Sequence, residues 1–473
     1  MSNPIKCDVC VIGAGLAGLT AAVRAAEQKL SVVVLERSPD ADYLCNSRLT
    51  GGAFHICLRD IQSKPEDLEQ AIQTATQGAA HPELARAVAS DTLRAVKWLQ
   101  SQGIRFIRGG AEPHHNFVLS PPSLQRVGSD WRGRGGDVLL RTLGSVLEKS
   151  NGRILRGHRA LDLIVVDNVC IGVKGQSDTG AFQVSAKAVV IADGGFQCDP
   201  DLVRHNISSE PEKILQRNAG SGLGDGVRMA KAAGAKLSSL VGFYGHLQNR
   251  KALTDPRLWP LPWMDNVATS AIIVGADAKR FADEGRGGVY LANCVAALPD
   301  PLTATVIFDQ LIWDGPGKSR FLPPNPNMEQ CGGTVVRANT LEELAQKLGL
   351  PSSELIKSVD DYNQALQTNG LASLDPPRSL QTYPAMPIKT APFYGVPVCA
   401  GMTYTMGGVE IDEWSRAMAA DGGVFPGLYA VGSASGGLEG GDSIGYVGGL
   451  SKAATTGLRA AEHIAKTVHA ESA

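Results

Sequence analysis

The sequence predicts an α/β protein in which a Rossmann-type dinucleotide-binding domain is split in sequence and an α+β capping domain is inserted between its parts. Three observations carry this expectation. Residues Cys7 to Arg37 (CDVCVIGAGLAGLTAAVRAAEQKLSVVVLER) read as strand, glycine turn, helix and strand in register. Residues 240–390 change texture, with tryptophan, proline and mixed strand and helix pieces. The chain then returns to glycine-rich stretches that feed a closing helix. The expected divisions are 1–239 and 391–473 for the nucleotide-binding domain and 240–390 for the cap.

In the first unit, Val9 to Ile12 is an apolar run that suits a buried strand. Gly13 permits the tight turn out of it. Gly15 lets the backbone approach a pyrophosphate, and Gly18 lets helix and strand pack closely. An alanine-rich helix from about Leu16 to Gln28, with Ala17 in its first turn, offers free N–H groups and partial positive charge to phosphates. Val32 to Leu35 is the second strand. It ends at Glu36, whose carboxylate can accept a ribose hydroxyl, with Arg37 beside it. This fingerprint does not distinguish NAD from FAD.

A chain of 473 residues exceeds the usual single-core limit of about 250–300 residues, so at least two domains are expected. Hydrophobic content of 43% and charged content of 19% fit a soluble globular protein. A net charge of −2 gives no basic face for nucleic acid or an anionic membrane. No basic-then-apolar leader and no run of about 18 apolar residues occur, so no membrane span and a cytoplasmic location are expected. The nine cysteines are scattered and odd in number, which favours reduced thiols. Cys7-x-x-Cys10 straddles the first strand without a second pair. It reads as small buried residues, and no metal is expected.

Further along, Arg37 to Thr50 is a loop that runs into Asn46, Ser47, Thr50, Gly51 and Gly52, a polar-then-glycine turn suited to a flat ligand. A helix is expected over His81 to Gln102 and another over Val138 to Glu148, with irregular chain between them. His114 and His115 in that irregular stretch read as loop residues. Strands are expected near 153–155, 160–166, 169–174, 181–184 and 188–191. The last runs into Ala192, Asp193 and Gly194, a second strand end facing the nucleotide. Asp225 precedes a helix over Val227 to Ala233 and either caps it or touches the cofactor. Helices are expected over 341–348 and 353–366. Gly427 to Gly432 is a strand ending in glycine, followed by Ser433, a long glycine-rich loop to Gly448, Gly449 and Leu450, and a helix over Ser451 to His463.

A strand and helix at the C-terminus finish the nucleotide fold. The glycine loop offers N–H groups to a second electron-rich part of the cofactor, which a flavin has at its pyrimidine edge, so FAD is favoured over NAD. The motifs VIGAGLAGLTAA, NSRLTGG, WLQSQGIRF, ADGGF, GLGDGVRMA, KRFADEG, APFYG, TMGGVEID and GLYAVGSASGG span nearly all of the chain. Together they resemble the fumarate reductase/succinate dehydrogenase flavoprotein superfamily, in particular its soluble branch with tricarballylate dehydrogenase and 3-ketosteroid dehydrogenases. The resemblance implies an active site between FAD domain and cap. It implies hydride transfer between flavin N5 and a carbon beside an activating carbonyl or carboxylate, forming or reducing a C=C bond. The histidine that tethers FAD in the succinate dehydrogenase branch has no counterpart in Leu44-Cys45-Asn46-Ser47-Arg48, so non-covalent FAD is expected.

The resemblance also points to catalytic positions. His246 stands about where the family's carboxylate-binding histidine does, with a structural histidine as the alternative. Arg286 follows the Arg280-Phe281-Ala282-Asp283-Glu284 motif. It can be the acid, a carboxylate clamp or a surface arginine, and Tyr290 is the next proton-bearing side chain. Tyr404 replaces a substrate-binding histidine and Ser443 replaces an arginine, which removes two groups that would hold a dicarboxylate. A tyrosine instead suits hydrogen bonding to a ketone oxygen, as in the ketosteroid branch. Tyr394 is a second candidate or a core aromatic. The first reading is therefore an FAD-dependent oxidoreductase on a small carbonyl or carboxylate substrate, with Tyr404 polarising the carbonyl. It exchanges electrons with a separate quinone, oxygen or carrier protein. The second is a di- or tricarboxylate oxidoreductase with a clamp from Arg286, Arg126 or Arg132. The third is a flavin-binding protein without catalysis.

Overall fold

A computed structural model describes residues 5–123, 130–320, 322–380 and 383–472. Its nucleus is β1 (Ile5–Ile12), α1 (Leu16–Glu27) and β2 (Val32–Glu36). The strand β1 lies parallel between β2 and the strand Gly180–Ile191. Val9, Cys10 and Val11 are fully buried, as a strand covered on both faces requires. Arg153–Arg156 continues the parallel order beyond β2, and Val424–Ala430 beyond Gly180–Ile191. The C-terminal helix Gly449–Ser472 packs along α1, so the last residues of the chain complete the layer begun by the first.

The pieces expected at 181–184 and 188–191 form one strand. Its first half alternates buried and exposed beside the antiparallel strand Val169–Ser177, and its last four residues are all buried. The hydropathy changes halfway because the neighbours change, while the backbone runs on. The loop after β2 contains a short helix, Asn46–Leu49. It is held from below by Arg48, which is 1% exposed, pairs with Asp137 and donates from Nε to Tyr43 O at 2.7 Å.

A second, six-stranded sheet has its own apolar core. Its central strand, Phe393–Thr405, pairs with Phe243–Asn249, Thr305–Asp309, Val336–Ala338 and Leu215–Gln216. Residues from before 240 and after 391 thus contribute to this sheet. Among the described residues no helix is long and apolar enough to cross a membrane.

Candidate active site

The carboxyl ends of β1, β2 and Gly180–Ile191 open on a cavity of about 950 Å³, which residues from the second sheet also line. Open parallel sheets place ligands at this end. The size is at the upper end of ordinary ligand sites, which run to about 1,000 Å³. Of the residues expected to hold the cofactor, all line this cavity except Gly18 and Gly448. Gly18 serves packing: a Cβ there would lie 2.0 Å from Gly13 O. The N–H of Gly448 turns away to Glu439 Oε1 at 3.3 Å.

Gly13 has φ +102°, and a Cβ on it would meet Ala192 O at 2.6 Å, so the turn accepts only glycine. Glu36 accepts from the N–H of Ala14 at 3.2 Å and of Ser38 at 2.9 Å. Ser47 Oγ accepts from Leu16 N–H at the start of α1 at 3.1 Å. Asn46 ties the loop to two other backbones, donating to Thr403 O at 2.8 Å and accepting from Ala219 N–H at 3.0 Å. Asp193 accepts from Gly226 N–H at 2.7 Å through Oδ2, while Oδ1 is buried with no partner. Burial, the largest cause, pushes its carboxyl up to about 7. Asp225 does not cap its helix with its side chain. Gly224 is the capping residue, and the Asp225 carboxylate pairs with Arg159 at 2.8 Å.

The other half of the cavity is aromatic and cationic. Tyr244 and His246 lie two apart on the strand Phe243–Asn249 and so share a face. A bulge leaves Thr403 without a facing partner between the pairs Tyr244/Tyr404 and Gly245/Met402. His246 Nδ1 lies 2.6 Å from Asp265 Oδ2, and Nε2 lies 3.1 Å from the Tyr244 hydroxyl. Asp265 Oδ1 also accepts from Leu247 N–H at 2.9 Å. The imidazole stacks on Trp263 with centroids 3.9 Å apart. Burial is the main cause that holds His246 below the ordinary histidine range, despite Asp265. Tyr446 stacks on Tyr244 at 4.1 Å, and its hydroxyl lies 3.4 Å from His55 Nε2.

Tyr404, expected to polarise a substrate carbonyl, gives its hydroxyl proton to Glu439. The oxygens are 3.0 and 3.2 Å apart. Glu439 is buried and also accepts from Lys452 at 3.3 Å and Val447 N–H at 3.0 Å. A phenol has one proton, so in this arrangement Tyr404 has no donor left for a substrate. Of the two readings of Tyr394, its surroundings match the core aromatic. It does not line the cavity, but sits in the core of the second sheet, stacked on Phe308 and donating to Gln310 at 2.5 Å. Its neighbours on a central strand make it a packing residue.

Arg286 lines the cavity, lies 3.8 Å over the Tyr290 ring and donates to Asp442 O at 2.9 Å. Tyr290 is also on the wall, its hydroxyl pushed up to about 12 chiefly by burial. Ser443 lines the cavity and donates to Ala75 O at 2.9 Å. Arg132 is absent from the wall: it is 75% exposed and faces Asp42 at 3.6 Å. Arg126 lies outside the described residues. His55, His114 and His115, read as ordinary loop residues or passed over, line the cavity too.

Arg217 was missed altogether. It half-buries against the cavity, lies 5.4 Å over Trp263, and donates to Thr403 Oγ1 at 2.8 Å and to Pro260 O at 3.4 Å. No carboxylate pairs with it among the described residues, whereas the buried Arg48, Arg280 and Arg378 all have one. Tyr244, Asp265, Glu439 and Tyr446 were also missed. The one usable signal was Glu439 and Lys452 together, charges of opposite sign inside a glycine-rich stretch whose other charge is Asp442.

Fold and cavity together define a flavin-dinucleotide oxidoreductase. The FAD binding domain family matches residues 8–445, and the chain belongs to that family. The chain is 25% identical to a vinyl phenol reductase of Lactiplantibacillus plantarum, over 98% of this chain and 97% of that protein. It is 27% identical to an NADH:acrylate oxidoreductase of Vibrio harveyi over 77% of this chain. There it spans 35% of the relative's length. Among solved structures, a 3-ketosteroid delta1-dehydrogenase of Sterolibacterium denitrificans superposes with a TM-score of 0.74 at 20% identity, over 98% of this chain and 100% of that one. The cofactor is FAD, and the enzyme is an oxidoreductase of the class that acts on CH–CH groups. The residues fit FAD: Gly13 makes the tight turn against Ala192, Gly15 lines the cavity at the start of α1, and Asp193 Oδ1 is buried without a partner.

Proposed function

We propose that the enzyme forms or reduces a C=C bond conjugated to a carboxylate or ketone, with the negative end of the substrate against Arg217. The observation that supports this most is the guanidinium itself. A half-buried cation without a counter-ion is costly, and a substrate carboxylate or a polarised carbonyl oxygen would offset that cost. Thr403 Oγ1 and the Trp263 face hold the guanidinium in place, leaving its remaining N–H donors for the ligand.

Bound FAD supplies the two-electron exchange with the substrate carbon. Gly13, Gly15, Glu36, Ser47 and Asp193 would hold its nucleotide part, and the start of the helix Gly449–Ser472 its flavin part. Tyr404 would serve as a wall fixed by Glu439, while Tyr244 and Tyr446 present hydroxyls to the substrate. Residues 240–390 would act as the cap that decides substrate shape. Electrons would pass to or from a quinone, oxygen or a carrier protein. The nine free thiols fit a reducing, cytoplasmic setting.

A second reading is favoured by Arg286, which also lines the cavity without a carboxylate partner among the described residues. Two cations would serve a dicarboxylate. Anaerobic mixing separates the readings. The dithionite-reduced enzyme is mixed with cinnamate, cyclohex-2-enone and fumarate, and the oxidised enzyme with their saturated counterparts, while the flavin band is followed. Cinnamate or the enone should exchange electrons faster than fumarate. Fast fumarate turnover would establish the dicarboxylate reading, and silence with every compound would overturn both.

A further inference from the structure

We infer that Asp265, His246 and Tyr244 form a proton relay in which Tyr244 exchanges a proton with the substrate carbon beside its activating group; this rests on the C=C chemistry proposed above. The geometry runs in one direction. Asp265 accepts the Nδ1 proton of His246 at 2.6 Å, which fixes the tautomer and leaves the Nε2 lone pair facing the Tyr244 hydroxyl at 3.1 Å. Asp265 is itself fixed by Leu247 N–H, and Trp263 fixes the plane of the imidazole. Nucleophile-activating triads have this same order: carboxylate, imidazole, hydroxyl. Here the hydroxyl belongs to a phenol in the cavity wall.

In the dehydrogenating direction the substrate C–H bond breaks and its electron pair stays on carbon, spread into the carbonyl or carboxylate. The released proton joins the Tyr244 oxygen as that oxygen's own proton moves to His246 Nε2. The resulting imidazolium faces the Asp265 carboxylate. Reduction runs the same transfers backwards. Tyr446 stacks on the Tyr244 ring with centroids 4.1 Å apart and fixes the plane of the phenol. The charged groups that face His246 are Asp265, Arg217 and Arg320. Burial first, and then the two arginines, disfavour a resting imidazolium against the pull of Asp265, which leaves Nε2 free to accept in the dehydrogenating direction.

The test uses the holoenzyme and has two arms. In the first, ¹⁵N-histidine NMR reads the His246 resonances, assigned by their loss in His246→Gln. A proton on Nδ1, an unprotonated Nε2 at pH 7, and an Nε2 shift in Tyr244→Phe are expected. A proton on Nε2, or no shift in Tyr244→Phe, overturns the relay whatever the substrate is. In the second arm, reduced holoenzyme oxidised by cinnamate or cyclohex-2-enone should slow at least 100-fold in Tyr244→Phe, with the ligand's Kd changed less than threefold. In this reductive direction the relay starts from the imidazolium, so Asp265→Asn should move the alkaline limb of the pH profile to lower pH. Full rate in Tyr244→Phe, or an unmoved alkaline limb, overturns the relay. Failure of every compound to react with wild type counts against the C=C reading, and the NMR arm then decides the relay alone.

Discussion

The hydroxyl of Tyr404 lies 3.0 Å from Glu439 Oε1, and this contact joins the second sheet to the glycine loop before the C-terminal helix. The same carboxylate takes Lys452 Nζ at 3.3 Å and the N–H groups of Val447 and Gly448. Lys452 is 1% exposed. Removing one partner of such a pair leaves a buried, uncompensated charge. Glu439→Ala should therefore lose about 3–5 kcal/mol of stability, read as an earlier denaturant midpoint of the holoenzyme.

Arg217→Gln should weaken a carboxylate substrate by about 2–5 kcal/mol, the range for losing one partner of a buried charged contact. The KM for the acid should rise by roughly 30-fold or more, while that of the corresponding amide changes little. Equal effects on acid and amide would exclude Arg217 as the anion contact.

Acid precipitation should release yellow flavin into the supernatant. The segment Leu44–Arg48 carries no histidine to form the tether. Flavin that stays with the pellet would show a covalent link.

Asp193 gives a pH signature in the cofactor-free protein. Its folded pKa is raised to about 7, mainly by burial. Its contribution to stability is thus fully present below the ordinary carboxylate value near 4 and is lost as pH rises through about 7. Scanning fluorimetry from pH 4 to 8 should show this decline, and Asp193→Asn should flatten it.

Tyr394→Phe should leave kcat unchanged and cost about 1 kcal/mol, the usual worth of a hydrogen bond such as that to Gln310. Steady-state rates and a denaturation curve on one preparation test both halves.

The nucleotide half was legible because its signals are local. Gly13 and Gly18 answer to contacts within one β-α-β unit, and Glu36 ends the adjacent parallel strand. The catalytic half was not, because antiparallel pairing assembles it from distant segments. Tyr244 meets Tyr404 across 160 positions of sequence only through the register of two strands, and a bulge at Thr403 sets their faces. Arg217 reads as an ordinary polar residue until its missing counter-ion is seen. Tyr404 was found by its place in a motif, but its proton goes to Glu439, which no motif marked.

The crossing of these strands limits how the pocket can be redesigned. Gly245 sits between Tyr244 and His246, and a Cβ there would lie 2.1 Å from Gly401 O; one on Gly407 would lie 2.0 Å from Ser239 O. Libraries that randomise either glycine should return mostly misfolded protein. Substrate range is open to engineering through Leu261 and Trp259, side chains on the wall that can be resized without forcing two backbones apart.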